Sequence, residues 1–204
     1  MKFIIGKKVN MTQTFKDNGN VVPVTVVKAE PVIVTQIKTK ESDGYSAVQV
    51  GFSSTKESRV NKPQIGHAKG AGNFKGFREF RVADTSTYKV GDKIDVSIFA
   101  PGDKITISGT SKGKGFQGGV KRHGFKGGSR THGQKHSERE PGAIGGAGRS
   151  GGRVVKGMRM AGRMGSDRVT IKGIKIEAVI PEENSILLSG AVPGSRGTIL
   201  EISG

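Results

Sequence analysis

Most residues of this 204-residue chain whose types and spacing suggest chemistry lie in one stretch. Gly113-Lys114-Gly115-Phe116-Gln117-Gly118 has the spacing of a dinucleotide-binding G-x-G-x-x-G turn. That chemistry needs a strand before the turn, a helix after it and a βαβ unit around both. Here Gly119 and Lys121-Arg122-His123-Gly124 follow, with no amphipathic helix, so no Rossmann site is expected. A phosphate loop of the G-x-x-x-x-G-K-[ST] type is absent from the sequence. His132 and His136 are four residues apart with His123 nearby, which raises a metal site. Gly133 weakens a helix between them, no carboxylate stands where a zinc protease needs one, and Arg130 and Lys135 repel a cation. The reading is no metal. Hydrogen bonds to phosphate or ribose oxygens, or stacking on a base, suit these histidines better.

The surrounding cations explain why. Lys112 and Lys114, Lys121-Arg122, Lys126 and Arg130, Arg149, Arg153 and Lys156, and Arg159, Arg163 and Arg168 form small clusters separated by glycine, with Lys135 and Arg139 between them. Glycine brings backbone N–H groups close to phosphates while neighbouring side chains neutralise the charge. Gln117 and Thr131 add polar contacts, and Phe116 and Phe125 are candidates to stack on unpaired bases or to anchor the segment at a barrel rim. A second interleaving of aromatics and bases, Asn73 to Arg81, reads as core packing ahead of direct base stacking: Phe80 and Val82 alternate with Glu79 and Arg81, as on an edge strand. No catalytic constellation appears. Carboxylates are scattered over turns and strand surfaces, and no serine or threonine has a nucleophile-elbow context, so neither an enzyme nor a cofactor is expected.

Charge and glycine are partitioned accordingly. The chain has 34 Lys+Arg against 17 Asp+Glu, a net charge of +17, and 33 glycines, about 16% against a usual level of roughly 7%. Residues 111–168 hold 14 of the bases, three acids and 17 of the glycines, a net of +11. The other 146 residues carry +6. Within 111–168 only 12 residues are apolar, with no sustained period, too few to offset the ordering entropy of so glycine-rich a segment. Alone, it is expected to be extended or disordered. Such lopsided charge calls for a polyanion, and folded RNA suits it better than a membrane surface, which is met by amphipathic helices. The absence of cysteine excludes a disulfide scaffold and any Cys-based zinc site. With no apolar run of about 18 residues and no signal-peptide pattern at the start, the chain reads as soluble and intracellular.

The elements that must position the segment read as β-structure. Strands are expected over Met1–Lys8, Val21–Ala29, Val32–Thr39, Ala47–Phe52, Ile94–Phe99, Ile105–Ser108, Val169–Lys172, Ile174–Ile180, Ser185–Ser189 and Gly197–Ile202. The turn Asp17-Asn18-Gly19-Asn20 predicts a hairpin between the first two. The one helix expected is about Lys62–Ala71, with Asn61 as N-cap and Pro63 in its first turn. Short strands at this spacing suggest a barrel or sandwich over 1–110 and 169–204, with a small insertion at about 56–82 and the basic segment entering and leaving through adjacent strands.

Several ordered blocks also resemble a known family. Ile4-Ile5-Gly6-Lys7-Lys8-Val9-Asn10-Met11-Thr12-Gln13 is similar to the opening of bacterial-type ribosomal protein L3 of the large (50S) subunit, and Ser111 to His123 resembles its most specific signature. Thr131-His132-Gly133, Pro141-Gly142-Ala143-Ile144-Gly145, Lys156-Gly157, Met160 to Gly165 and Gly190 to Gly194 match further blocks in order. The resemblance implies a mainly β protein: a small closed β-barrel of the translation-protein type, a minor α/β insertion and a long irregular basic loop extension. It implies that 111–168 penetrates large-subunit (23S) rRNA, with its tip at about 141–152, including Pro141, Gly142, Ile144 and Gly145, near the peptidyl-transferase region. Neighbouring large-subunit proteins, a role in early assembly and a cytoplasmic location are implied as well. Asn10 stands where a glycine is usual, as a residue that tolerates positive φ. Gly145-Gly146-Ala147-Gly148 occupies a place where many relatives carry a glutamine that is methylated in some of them, so no acceptor for that modification stands here.

A free nonspecific nucleic-acid-binding protein or RNA chaperone is the rival from another class, and an enzyme with a Gly-rich nucleotide loop is the third. If half of the 14 bases touch phosphate, log K for an rRNA fragment should fall with log salt at a slope of about −5 to −6. Binding measured at several salt concentrations checks this, and a slope near zero contradicts it.

Overall fold

Alternating β-branched and aromatic residues build twelve strands from the residues the structure describes. The computed structural model describes residues 1–16, 18–68, 70–145 and 151–204. The strands are β1 (Phe3–Phe15), β2 (Val21–Lys28), β3 (Val32–Lys38), β4 (Ala47–Ser54), β5 (Phe74–Arg81), β6 (Lys93–Ile94), β7 (Lys104–Thr110), β8 (Gly115–Gln117), β9 (Gly162–Met164), β10 (Arg168–Ile180), β11 (Ser185–Ser189) and β12 (Ile199–Ser203). The helices are α1 (Lys40–Asp43), α2 (Lys62–Ala68) and α3 (Gly119–His123). Two units result: Met1–Thr110 together with Arg168–Gly204, and Ser111–Asp167.

In the first unit, six strands close an antiparallel barrel in the order β1-β12-β7-β10-β11-β2. Period-2 burial fills it: Ile105 and Ile107 of β7, Ile176 of β10, Ile186 and Leu188 of β11, and Leu200 and Ile202 of β12 are almost wholly inaccessible. Closure requires two strands to bend. β1 pairs with β12 through Phe3–Lys7 and with β2 through Lys7–Phe15, with a register shift at Val9. β10 turns from β7 toward β11 through shifts at Gly173 and Glu177. Gly173 has φ 77, a left-handed bulge position that a side chain would strain. The two strands expected over 169–180 are therefore one bent strand.

The buried ammonium of Lys8 secures the bend of β1, donating to the carbonyls of Val192 (2.8 Å) and Gly194 (3.0 Å). Asn10, just past the bulge, corrects one expectation. Its φ is not positive, so the site does not demand glycine-like freedom, and its buried Oδ1 accepts no hydrogen bond among the described residues.

The second sheet of this unit has the order β5-β4-β3-β6. β4 is central and buried on both faces from Ala47 to Phe52. Barrel and sheet share one core, in which Phe3 of β1 stacks on Phe80 of β5 with ring centroids 4.5 Å apart. Phe80 and Val82 are buried while Glu79 and Arg81 are exposed, as their alternation predicts. The expected strand Ile94–Phe99 is instead a two-residue strand followed by a 3₁₀ turn at Val96–Ile98. Asp95 accepts from the Ser97 N–H at 2.9 Å, a local bond that competes with a ladder. The described part of the expected helix ends at Ala68 rather than Ala71. No described helix is long and apolar enough to cross a membrane.

Polar bonds tie the second sheet together across its strands. Glu79 accepts from Tyr45 (2.8 Å) and Gln49 (3.1 Å) and ion-pairs with Lys38 (2.9 Å). Burial raises the pKa of Glu79, but hydrogen bonds from Lys38, Tyr45 and Gln49 outweigh it and hold the carboxyl below the usual range. Bonds to Tyr45 and Glu79 push the Lys38 ammonium up. A carboxyl with a depressed pKa stabilises the fold above its unfolded pKa and loses that contribution as pH falls through its folded value. Glu79→Gln should therefore be less stable than wild type near pH 6, with the two melting curves converging as pH falls toward 2.5. Thermal melts across that range check this, and parallel curves contradict it.

Candidate nucleic-acid interface

The Ser111–Asp167 unit has few apolar side chains, so backbone contacts hold its two arms together. Ser111 donates its N–H to the Asp167 carbonyl and Lys114 donates to Met164, each at 2.9 Å. The arms then pair as β8 and β9, with Phe116 opposite Arg163. Gly165, at φ 77, makes this possible, because a Cβ there would collide with the Lys112 carbonyl. β8 thus lies inside the G-x-G-x-x-G run and pairs antiparallel, which no βαβ dinucleotide site does.

A short helix does follow, contrary to the expectation of none. α3 covers Gly119–His123 and ends at Gly124 in a left-handed cap with φ 72. Its last residues face one backbone atom, the Met160 carbonyl, which accepts from Arg122 Nη1 at 2.7 Å and from His123 Nε2 at 3.0 Å. Phe125 lies 5.6 Å from the His123 ring, and a Cβ on Gly119 would meet Phe125 at 2.8 Å. Arg122, His123 and Phe125, singled out in the sequence as RNA contacts, are thereby half-buried braces of the unit. Met160 is not among the contact candidates that residue type selects, because the group that gathers these donors is a main-chain oxygen rather than a side chain.

Other candidates also have internal partners. Arg130 ion-pairs with Glu138 at 3.4 Å while remaining 84% exposed. Gln117 donates to the Lys114 carbonyl, and Arg163 Nη2 reaches the Ser166 carbonyl at 3.5 Å. Thr131 donates its N–H to the Ser129 hydroxyl oxygen, and His132 sits in the left-handed region at φ 60. Arg168 belongs to the barrel strand β10, where it meets Glu201 at 2.5 Å; Arg78 meets the same carboxylate at 3.0 Å.

The remaining cations face outward. Lys112, Lys114, Lys121, Lys126, Lys135, Arg139, Arg153, Lys156 and Arg159 are exposed, and none has a side-chain partner among the described residues. His136 is exposed as well, and no group of three or more described His, Asp or Glu residues is placed to hold a metal ion. Phe116 is 77% exposed on β8, at the position opposite Arg163 in the ladder. An aromatic ring left in water on a cationic unit is a platform for a flat π-system, above all a nucleobase. Pro141, Gly142, Ile144 and Gly145 are exposed. Arg149 and residues 146–150 of the expected tip lie outside the described residues.

The family model described as "Ribosomal protein L3" matches residues 78–185. The chain is 48% identical over 204 residues to the "Large ribosomal subunit protein uL3" of Acidothermus cellulolyticus (strain ATCC 43068 / DSM 8971 / 11B), covering 99% of this chain and 91% of that protein. To the protein of the same name from Roseiflexus sp. (strain RS-1) it is 48% identical over 200 residues, 98% of this chain and 95% of that one. To the one from Corynebacterium urealyticum (strain ATCC 43042 / DSM 7109) it is 50% identical over 204 residues, 99% and 93% respectively. With a similarity that runs nearly end to end and a family model spanning residues on both sides of the basic segment, the chain belongs to the ribosomal protein L3 family, a family of structural ribosomal components rather than enzymes.

Proposed function

We propose that this chain is a structural constituent of the large ribosomal subunit that binds large-subunit rRNA directly, through the outward-facing cations of Ser111–Asp167. The exposed Phe116 on β8, on a unit whose lysines have no internal partners among the described residues, carries the reading. Phosphate neutralisation would supply affinity, and stacking on Phe116 would fix an unpaired base beside the paired strands. The names of the relatives, large ribosomal subunit proteins, support the same assignment. In this reading the segment orders fully only on RNA, contributes to early subunit assembly and points its 141–152 tip toward the peptidyl-transferase region. Large-subunit rRNA and neighbouring large-subunit proteins are its partners, in the cytoplasm.

Two variants separate the roles of the residues. Phe116→Ala should weaken binding to an rRNA fragment by about 1–3 kcal/mol, roughly 5- to 150-fold, without lowering Tm. Unchanged affinity in a filter-binding titration would contradict stacking. Deleting Gly128–Arg159 should leave a folded β-unit, seen as a cooperative melt, with most RNA affinity lost. A free nonspecific binder would in addition spread through a sedimentation gradient instead of comigrating with the large subunit at moderate salt.

A further inference from the structure

A cleft of about 280 Å³ opens where the barrel meets the four-stranded sheet, within the first unit. Ile5, Phe52 and Ile199 give it an apolar lining, and three lysines, Lys7, Lys28 and Lys75, stand around it. Lys7 and Lys28 are direct cross-strand partners on β1 and β2. Side chains so placed start about 4.5–5.5 Å apart, and like charges there destabilise the pair. All three lysines are exposed, and none has a hydrogen-bond or ion-pair partner among the described residues. Glu30 also lines the cleft but bridges to none of them. Elsewhere in the unit cations do find carboxylates, as Lys2 does with Asp103 and Lys16 with Glu177.

The backbone supplies a second observation. Ser53, on the cleft wall, has φ 52, a left-handed conformation that is costly for a serine. By the register of β4 with β5, Phe52 with Gly76 and Ser54 with Phe74, it stands across from Lys75. Strain of this kind concentrates at binding sites, where the surrounding structure holds it in place. Uncompensated repulsion and a strained serine around one cleft call for an anion from outside. Lysines act as point charges toward phosphate, whereas carboxylates are gripped best by the arginine fork, and no arginine lines this cleft.

We propose that Lys7, Lys28 and Lys75 clamp a stretch of RNA phosphate backbone, a second RNA contact on the barrel unit, distinct from Ser111–Asp167. The inference rests on the reading of the chain as an rRNA binder. Salt-dependent binding of the full chain to a large-subunit rRNA transcript tests it, comparing wild type with the triple variant Lys7→Gln, Lys28→Gln, Lys75→Gln. The variant's slope of log K against log salt should be shallower by about 2 to 3, and its affinity at 0.1 M salt lower by on the order of 10²-fold. Its Tm should hold or rise, because the substitutions remove repulsion. Should the triple variant fold poorly, Lys28→Gln alone, which relieves only the like-charge pair, should still make the slope shallower by about 1. A steep wild-type slope that the variants leave unchanged overturns this clamp and leaves the wider RNA reading standing. A wild-type slope near zero overturns both. Saturable stabilisation by inorganic phosphate alone, with RNA affinity unchanged in the triple variant, assigns the cleft to a small anion and likewise overturns the proposal.

Discussion

The Ser111–Asp167 segment exists as a shaped object because two stretches of main chain lie against each other with no side chain between them. Where Gly165 passes the Lys112 carbonyl there is no room for a Cβ. Gly127 passes the Glu138 carbonyl in the same way, with the Gly128 N–H bonded to that oxygen at 2.9 Å. A segment with so few apolar residues has no hydrophobic interior to fold around, so backbone hydrogen bonds and the braces on the Met160 carbonyl take that role. Such bonds contribute modestly against the entropy of a glycine-rich chain. They set a local shape for the segment.

That division explains how the charges are used. Arg122 and Arg130 lie within the most cationic stretch, yet one holds a carbonyl and the other a carboxylate. The lysines around them have no such duty and face outward. Arginine's planar fork favours fixed internal bonds, while lysine's flexible point charge suits a phosphate surface whose shape the protein does not dictate.

Much of the architecture is legible in the residues. Period-2 alternation marks β7, β11 and β12 to within a few positions, and the turn around Gly19 marks the β1–β2 hairpin. What sequence periodicity misses is governed by bulges and caps. β10 reads as two strands because Gly173 breaks the alternation, and β6 is cut short by an aspartate that bonds its own backbone. In the interface, residue type locates the cations and Phe116 but does not tell an outward-facing arginine from a bracing one. That distinction depends on where the Met160 carbonyl and the Glu138 carboxylate arrive in three dimensions.

The bend in β1 also has a consequence for how the chain folds. Half of that strand pairs with β2, a few residues away, and the other half pairs with β12, Phe3 opposite Ser203. Few contacts are longer-range in sequence, and contacts of that kind slow folding. During synthesis the barrel cannot close until residues 199–203 have been made, so the whole cationic segment emerges while the N-terminal strand still has an open edge. For that interval the repelling charges of the segment and an unpaired strand edge coexist on one nascent chain, a state in which early capture of the segment by RNA would also guard against misassembly.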